Sequence, residues 1–445
     1  MNTLQRTFAT FIACTMLAPA AQAEDLMQIY QAALDSDPTL SAEEAGFEAT
    51  AYDQRETKAL YYPNITLSAD ASRVREEVTS SGGLIPSSEN NYTAKGYALN
   101  LRQPLYRRDY VTQLRQAEAT TRQAEARLNQ VYQEIILRVA QAYFEVLAAR
   151  DSLEFAQAEK NAVERQLEQA KQRFEVGLIA ITDVQEAQAA YDQTIAAEIL
   201  AQNNLAVTRQ GLRELTGRLP QHPLLGLGND MELATPDPTD IEAWVETALQ
   251  NNYTLLAAEA NVEVARQAVA QQSADRHPSL DLVAGHDFND VGGGSFGRRE
   301  TETNSIGLQL SVPLYQGGGI SAGIRSATAR HMQARDLLEQ QRRTVQREAS
   351  EAYLNVLAGI SQVKALRQAV ASSESALQAT QAGYEVGTRT TVDVLDARRE
   401  LFRTQRDYAR SRYDYILASL RLKQAGGMLS AEDVQKVNAW LETSS

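Results

Sequence analysis

Two carboxylates, Asp393 and Asp396, lie three residues apart just after Gly387-Thr388-Arg389-Thr390. In a helix that spacing puts both on one face, where they can gather cations or compensate a helix N-terminus. Thr390 followed by Asp393 has the form of a capping box, so capping is the first reading of the residues alone. Tyr384 and Arg389 precede the pair, a phenol and a guanidinium able to make hydrogen bonds at a chain turn. Arg389 there also reads as a solvated loop charge, and Tyr384 as a packing residue opposite Phe174. The same arrangement occurs earlier, in 176–186, with Thr182, Asp183 and Glu186. Gly177 and Gly387 are 210 residues apart, and so are Asp183 and Asp393. In each copy a Gly stops one helical pattern, and a Thr followed by Asp is expected to start the next.

No enzyme chemistry gathers elsewhere. His222, His277, His286 and His331 are scattered, without metal-ligand spacing. Gly292-Gly293-Gly294-Ser295 lacks the strand-to-helix setting of a phosphate loop or a nucleophile elbow and reads as a mobile extracellular turn. No cofactor is implied. The single cysteine, Cys14, falls in 1–23, which has the form of a secretory signal: Arg6, an apolar run, and Ala21-Gln22-Ala23 before Glu24. Phe11-Ile12-Ala13-Cys14 is a poor lipid-attachment box. The exported chain therefore has no thiol to oxidise. Lys plus Arg number 43 against 57 Asp plus Glu, a net charge of −14, which disfavours nucleic acid as a partner. After the leader no apolar run is long enough for a spanning helix, so any membrane crossing must be made by strands.

The elements that carry the two turns are long helices. From about 110 to 175 there is no proline, and apolar or small residues recur every three to four: Ile135, Val139, Ala142, Val146, Ala149, Leu153, Ala156, then Val163, Leu167 and Ala170. This is a coiled-coil seam with a stutter at Val131-Ile135-Val139. A residue offset of 210 reproduces it in the second half, and its many alanines imply close helix approach. Shorter helices return at 182–216 and 391–425. Before each long helix the period changes from near four to two. Ile65, Leu67 and Ala69 alternate with polar residues, then Tyr97, Leu99 and Leu101; the loop between is expected at 79–91. Leu280, Leu282 and Ala284, then Ile306, Leu308 and Leu310, repeat the plan, with a loop at 289–304. Tyr61, Tyr62, Tyr106 and Tyr315 stand where strands meet helices, a level that suits a membrane–water interface. A soluble sandwich would alternate similarly, but leaves two distant strand pairs beside so much helix unexplained.

The organisation is therefore a leader at 1–23, a first repeat at 24–230 (β-hairpin 64–105, helical hairpin 107–216), a second at 231–428 (β-hairpin 279–314, helical hairpin 320–425) and a peripheral tail at 429–445. Four strands cannot close a transmembrane barrel, so strands must be shared between chains. Three copies give twelve strands, and the residues alone leave two or four open.

The stretch Glu24-Asp25-Leu26-Met27-Gln28-Ile29-Tyr30, both glycine tips, and Val312-Pro313-Leu314-Tyr315-Gln316-Gly317-Gly318 resemble the TolC family of outer-membrane exit ducts. The resemblance spans essentially the whole exported chain. It implies an α+β membrane fold: a trimeric 12-stranded β-barrel continued by a long α-helical tunnel across the periplasm. It implies export of drugs or proteins through efflux pumps and type I secretion. The implied partners are a homotrimer, a periplasmic adaptor, an inner-membrane transporter of the RND, MFS or ABC type, and outer-membrane lipid. It implies that Asp393 and Asp396 line the tunnel entrance, and that Tyr384, Arg389, Thr182, Asp183 and Gln166 hold the tip closed. The partner position of Gln166 is Gln381, where the family can carry an acid. A non-conducting periplasmic coiled-coil adaptor or scaffold is the rival reading; it has no need of paired amphipathic hairpins.

Overall fold

The computed structural model describes residues 23–79, 88–228, 231–294 and 297–442. The leader, including Cys14, lies outside them except for Ala23. The chain runs α1 (Leu26–Ser36), α2 (Pro38–Ala59), β1 (Asn64–Val78), β2 (Ser88–Arg107), α3 (Arg108–Glu175) and α4 (Ile181–Thr216). After β3 (Gly226–Leu227) the order recurs as α5 (Ile241–Asn251), α6 (Tyr253–Ala274), β4 (Ser279–Val291), β5 (Arg299–Ser311), α7 (Gly319–Glu385) and α8 (Thr391–Ala425), with α9 (Ala431–Asn438) and β6 (Leu441–Glu442) to finish.

The two short entry helices are set by side-chain caps. Asp25 accepts from the Gln28 amide at 2.7 Å, and Asp37 accepts from Thr39 and Leu40 while Pro38 supplies the first turn. α3, of 68 residues, is about 100 Å long at 1.5 Å per residue. It buries more than the one seam its pattern predicts. Thr112, Ala119, Ala126, Gln133, Ala140 and Leu147 form a second buried row, because α3 has helices on both flanks. Toward the strands the packing order is α2–α3–α6–α7; toward the tips it is α4–α3–α8–α7. Short helices thus stack end to end beside two long ones. α7 packs against α6, α8 and α5, and none of its residues beyond Val363 is buried.

The four long strands make one antiparallel sheet in the order β1-β2-β4-β5. β1 ends at Val78, where the loop was expected to begin, but the other strands run further than expected: β2 starts at Ser88, β4 reaches Val291 and β5 starts at Arg299. Polar residues continue the ladders beyond the apolar segments. Leu67 stands opposite Leu99, Leu101 opposite Ala284, and Leu282 opposite Leu308, so the apolar residues share one face. On the other face Asp281 is 2% exposed and accepts from both Arg102 and Arg107. Gly292 is tied to the Thr93 carbonyl at 2.8 Å, and a side chain at Gly293 would strike Tyr92, so the first two glycines of the expected mobile turn are packed down, while Ser295 lies outside the described residues.

The main core lies at mid-length, around Ile135, Val139, Tyr143, Phe144 and Leu147 of α3 with Tyr413, Ile416 and Leu420 of α8. Leu429, Val434, Val437 and Leu441 belong to it. The tail expected to be peripheral is instead a structural layer, because β6 pairs with β3 and closes α9 over the helices.

Candidate functional site

The two helical turns place the residues singled out by sequence. Gly177 and Gly387 have φ of +75° and +79°, a left-handed conformation that glycine adopts without strain. In the second turn Thr390 is the N-cap of α8: its hydroxyl accepts from the Asp393 amide at 3.2 Å, and the Asp393 carboxylate accepts from the Thr390 amide at 2.8 Å. The hydroxyl of Thr388 donates to Gly383 O at 3.0 Å. The hydrogen bonds from the Thr390 backbone and side chain hold the Asp393 carboxyl below the usual range. Asp396, one turn on, is exposed and pairs with Arg399 at 3.2 Å.

In the first turn α4 starts at Ile181, with Ala180 as N-cap. Thr182, expected to start the helix, sits inside it and is exposed, because the threonine of the capping box has its counterpart in Ala180. Asp183 accepts only from the Ala180 amide, at 3.3 Å.

Tyr384 lies between the hairpins. Its ring is under the Arg173 guanidinium at 4.6 Å, and the Thr391 hydroxyl reaches its oxygen at 3.4 Å. Within one chain Arg389 makes no ion pair with Asp183 among the described residues; its stem folds over Gly383, where a Cβ would stand 2.7 Å from Cγ. Gln166 is 4% exposed, and its Nε2 has no hydrogen-bond partner. Gln166, Gln381, Arg173, Tyr384 and Arg398 line one open cleft of about 580 Å³ between the hairpins.

Arg173, Arg398 and Arg399 were not legible as site residues. Arg398 lays its guanidinium against α3 and donates to the Ala162 carbonyl at 2.6 Å; burial, with Arg165 nearby, lowers its pKa. Adjacent arginines in a charged helix give no sign that one turns inward and the other pairs with Asp396. Higher on the same interface Tyr413 donates to Asp151 at 2.5 Å, and burial raises the pKa of both. Among the described residues no group of acids, histidines or cysteines is arranged to hold a metal ion, and no helix is long and apolar enough to cross a membrane.

The model of one family, outer membrane efflux protein, matches residues 29–218 and again 244–428. The outer membrane protein TolC of Vibrio cholerae is 40% identical over 433 residues, 96% of each chain. The alkaline protease secretion protein AprF of Pseudomonas aeruginosa is 29% identical, covering 95% of this chain and 89% of its own. Among solved structures, the outer membrane protein VceC of Vibrio cholerae superposes with a TM-score of 0.77 at 21% identity, over 90% of this chain and 96% of that one. CusC gives 0.78 at 19% identity, over 91% and 92%. The chain belongs to the outer membrane efflux protein family.

Proposed function

We propose that this chain is a passive exit duct of the outer membrane, serving efflux pumps and type I secretion, built by duplication of one unit and assembled as a homotrimer. One observation carries it. The outward row of the sheet is apolar and exposed, with Leu67 at 72%, Ile306 at 78%, Leu308 at 67% and Leu310 at 64%, while the opposite face holds the ion pairs of Asp281. A face of that kind has no place in water but fits lipid around a polar lumen. Soluble adaptors and scaffolds do not need it.

Both walls of the chain end in free edges. Among the described residues β1 and β5 are unpaired on their outer sides. Below them α4 exposes Ile199, Leu200 and Val207, and α7 exposes Met332, Leu337 and Leu354. Two different edges that fit each other make a head-to-tail contact, which closes as a ring. Three copies of the four-stranded sheet make a barrel of twelve strands, continued below by the helices.

At the lower end Asp393 and Asp396 of three chains would form a ring of six carboxylates, attracting cations and repelling anions. Tyr384 and Arg389, bonding with Thr182, Asp183 and Gln166 within and between copies, hold the tip closed at rest. A periplasmic adaptor and an RND, MFS or ABC transporter open it on docking. Each such bond contributes about 1 kcal/mol, enough in number to stay shut and weak enough to yield.

The test is single-channel recording of the purified protein in planar bilayers. Asp393→Asn with Asp396→Asn is expected to weaken cation selectivity, and Tyr384→Phe with Arg389→Ser to raise resting conductance without loss of assembly. A protein that fractionates with the outer membrane but conducts nothing would favour the scaffold.

A further inference from the structure

Building on the homotrimer above, we infer that charges on the two free sheet edges fix how neighbouring copies pair. Arg73 and Arg75 of β1 meet Glu302 and Glu300 of the next copy on the lipid-facing side, and Glu76 meets its Arg299 on the lumen side.

The strand ladders assign the faces. Odd-numbered residues of β1 share the outward side with Leu67, and even-numbered residues of β5 share it with Leu308. From the helix end upward, β1 presents Ile65, Leu67, Ala69, Ala71, Arg73 and Arg75 outward. β5 presents Leu310, Leu308, Ile306, Asn304, Glu302 and Glu300. β1 runs away from the helices and β5 toward them, so the two edges of neighbouring copies are antiparallel. With Asn64 opposite Ser311, Ile65, Leu67 and Ala69 face Leu310, Leu308 and Ile306, Ala71 faces Asn304, and Arg73 and Arg75 face Glu302 and Glu300. The same register sets Glu76 opposite Arg299 on the inner side.

Three groups lack counterparts within one chain. Arg73, Arg299 and Glu76 form no ion pair among the described residues; Glu76 Oε2 lies covered beside Gly294 of its own chain, without a hydrogen-bond partner, and turns outward to reach the next copy. Arg75 already pairs with Glu89, and Glu300 with Arg298, so the seam would join existing pairs into a network. Slipping the register by two leaves only one of the two outward arginine–glutamate pairs: one way keeps Arg75 against Glu302 but sets Glu77 against Glu300, and the other keeps Arg73 against Glu300 but sets Ala71 against Glu302 and runs Arg75 past the end of β5; like charges directly opposite are destabilising.

Closure geometry agrees. Inside one chain the ladder runs from Asn64 through Arg102 and Val283 to Gly307, four residues above Ser311. A stagger of four residues over four strands tilts the strands by about 35°, within the range of transmembrane barrels. A stagger of two gives about 20°.

The experiment is thermal dissociation of the purified full-length protein, read as the surviving trimer fraction on mild-detergent gels. Glu76→Arg, Arg299→Glu, Arg73→Glu and Glu302→Arg are each expected to shift the equilibrium toward monomer by about tenfold or more, since each change recurs at three seams. The swaps Glu76→Arg/Arg299→Glu and Arg73→Glu/Glu302→Arg should return it to within about threefold of the parent. Single reversals that dissociate like the parent, or swaps as weak as their singles, would overturn the seam. A parent with another copy number would overturn the trimer, and the same reversal-and-swap comparison would still decide the seam.

Discussion

The two helical tips share a backbone and differ in chemistry. Each turns through a left-handed glycine, Gly177 or Gly387, and each places an aspartate at the third position of the outgoing helix. An exposed valine, Val176 or Val386, precedes the glycine in both; after it the first tip is apolar, with Leu178 73% exposed and an N-cap, Ala180, that has no side-chain acceptor. The second is polar, with Thr388, Arg389 and a complete Thr390–Asp393 box. The turn geometry is thus a property of the repeated unit, and the side chains are free to specialise. The polar tip is the one built to hold a defined shape.

Breaking the shared part should affect both tips alike. Gly177→Ala and Gly387→Ala each force a Cβ into the left-handed region, at a cost of about 1–2 kcal/mol. Open space surrounds both positions, so strain alone is tested. Amide hydrogen exchange at the ends of α3 and α7 should rise by a similar factor in the two variants. A large inequality would mean that the turns are not equivalent.

How far these features were legible follows the reach of each physical signal. Helix extents came through because periodicity over 60 or more residues and a glycine stop are local. The capping box at Thr390 was legible for the same reason. Thr182 has the side chain of a helix cap, but the position equivalent to Thr390 is Ala180, and α4 starts one residue before Thr182. The end of β1 came out where the loop was expected to begin, but β2, β4 and β5 were underestimated where Asn90, Asp290, Glu300 and Glu302 carry no apolar alternation and the ladder still pairs them. The core role of Leu429 and Val434, the second buried row of α3, and the inward turn of Arg398 depend on contacts far along the chain. No window of sequence contains those neighbours.

The asymmetry itself can be tested by exchanging caps. Thr390→Ala removes the acceptor for the Asp393 amide and should loosen the first turn of α8 by about 1 kcal/mol. The converse, Ala180→Thr, supplies the missing acceptor to α4 and should tighten it by a similar or smaller amount. Exchange rates in the first turns of α4 and α8 provide the readout, and the two changes should have opposite signs.

Acid should loosen the second tip. The Asp393 carboxyl is held below the usual range in the folded tip. Its contribution is therefore fully present above the unfolded value of about 3.9 and is lost as pH falls through the folded value. Exchange at the start of α8, corrected for intrinsic rate, should accelerate over that interval. In Asp393→Asn the acceleration should vanish.

The smallest effect on stability carries the most information about the ring. Asp396 and Arg399 are paired at 3.2 Å, with their side chains 62% and 55% exposed, so removing the pair should change stability by less than about 0.5 kcal/mol. Its electrical effect is of another order. If Asp396 lines the entrance, Arg399 offsets part of its charge three times around a narrow opening, where fields are screened less than in bulk. Arg399→Ala should leave thermal stability nearly unchanged and yet increase cation selectivity and sharpen block by multivalent cations. Arg399→Glu should do so more strongly. The pair of measurements distinguishes the two uses of a carboxylate at a helix start. An acid that only steadies the helix would respond weakly in both, whereas one that faces the pore responds in conductance alone. Unchanged selectivity in Arg399→Glu would place Asp396 outside the conducting path and leave Asp393 to carry the ring.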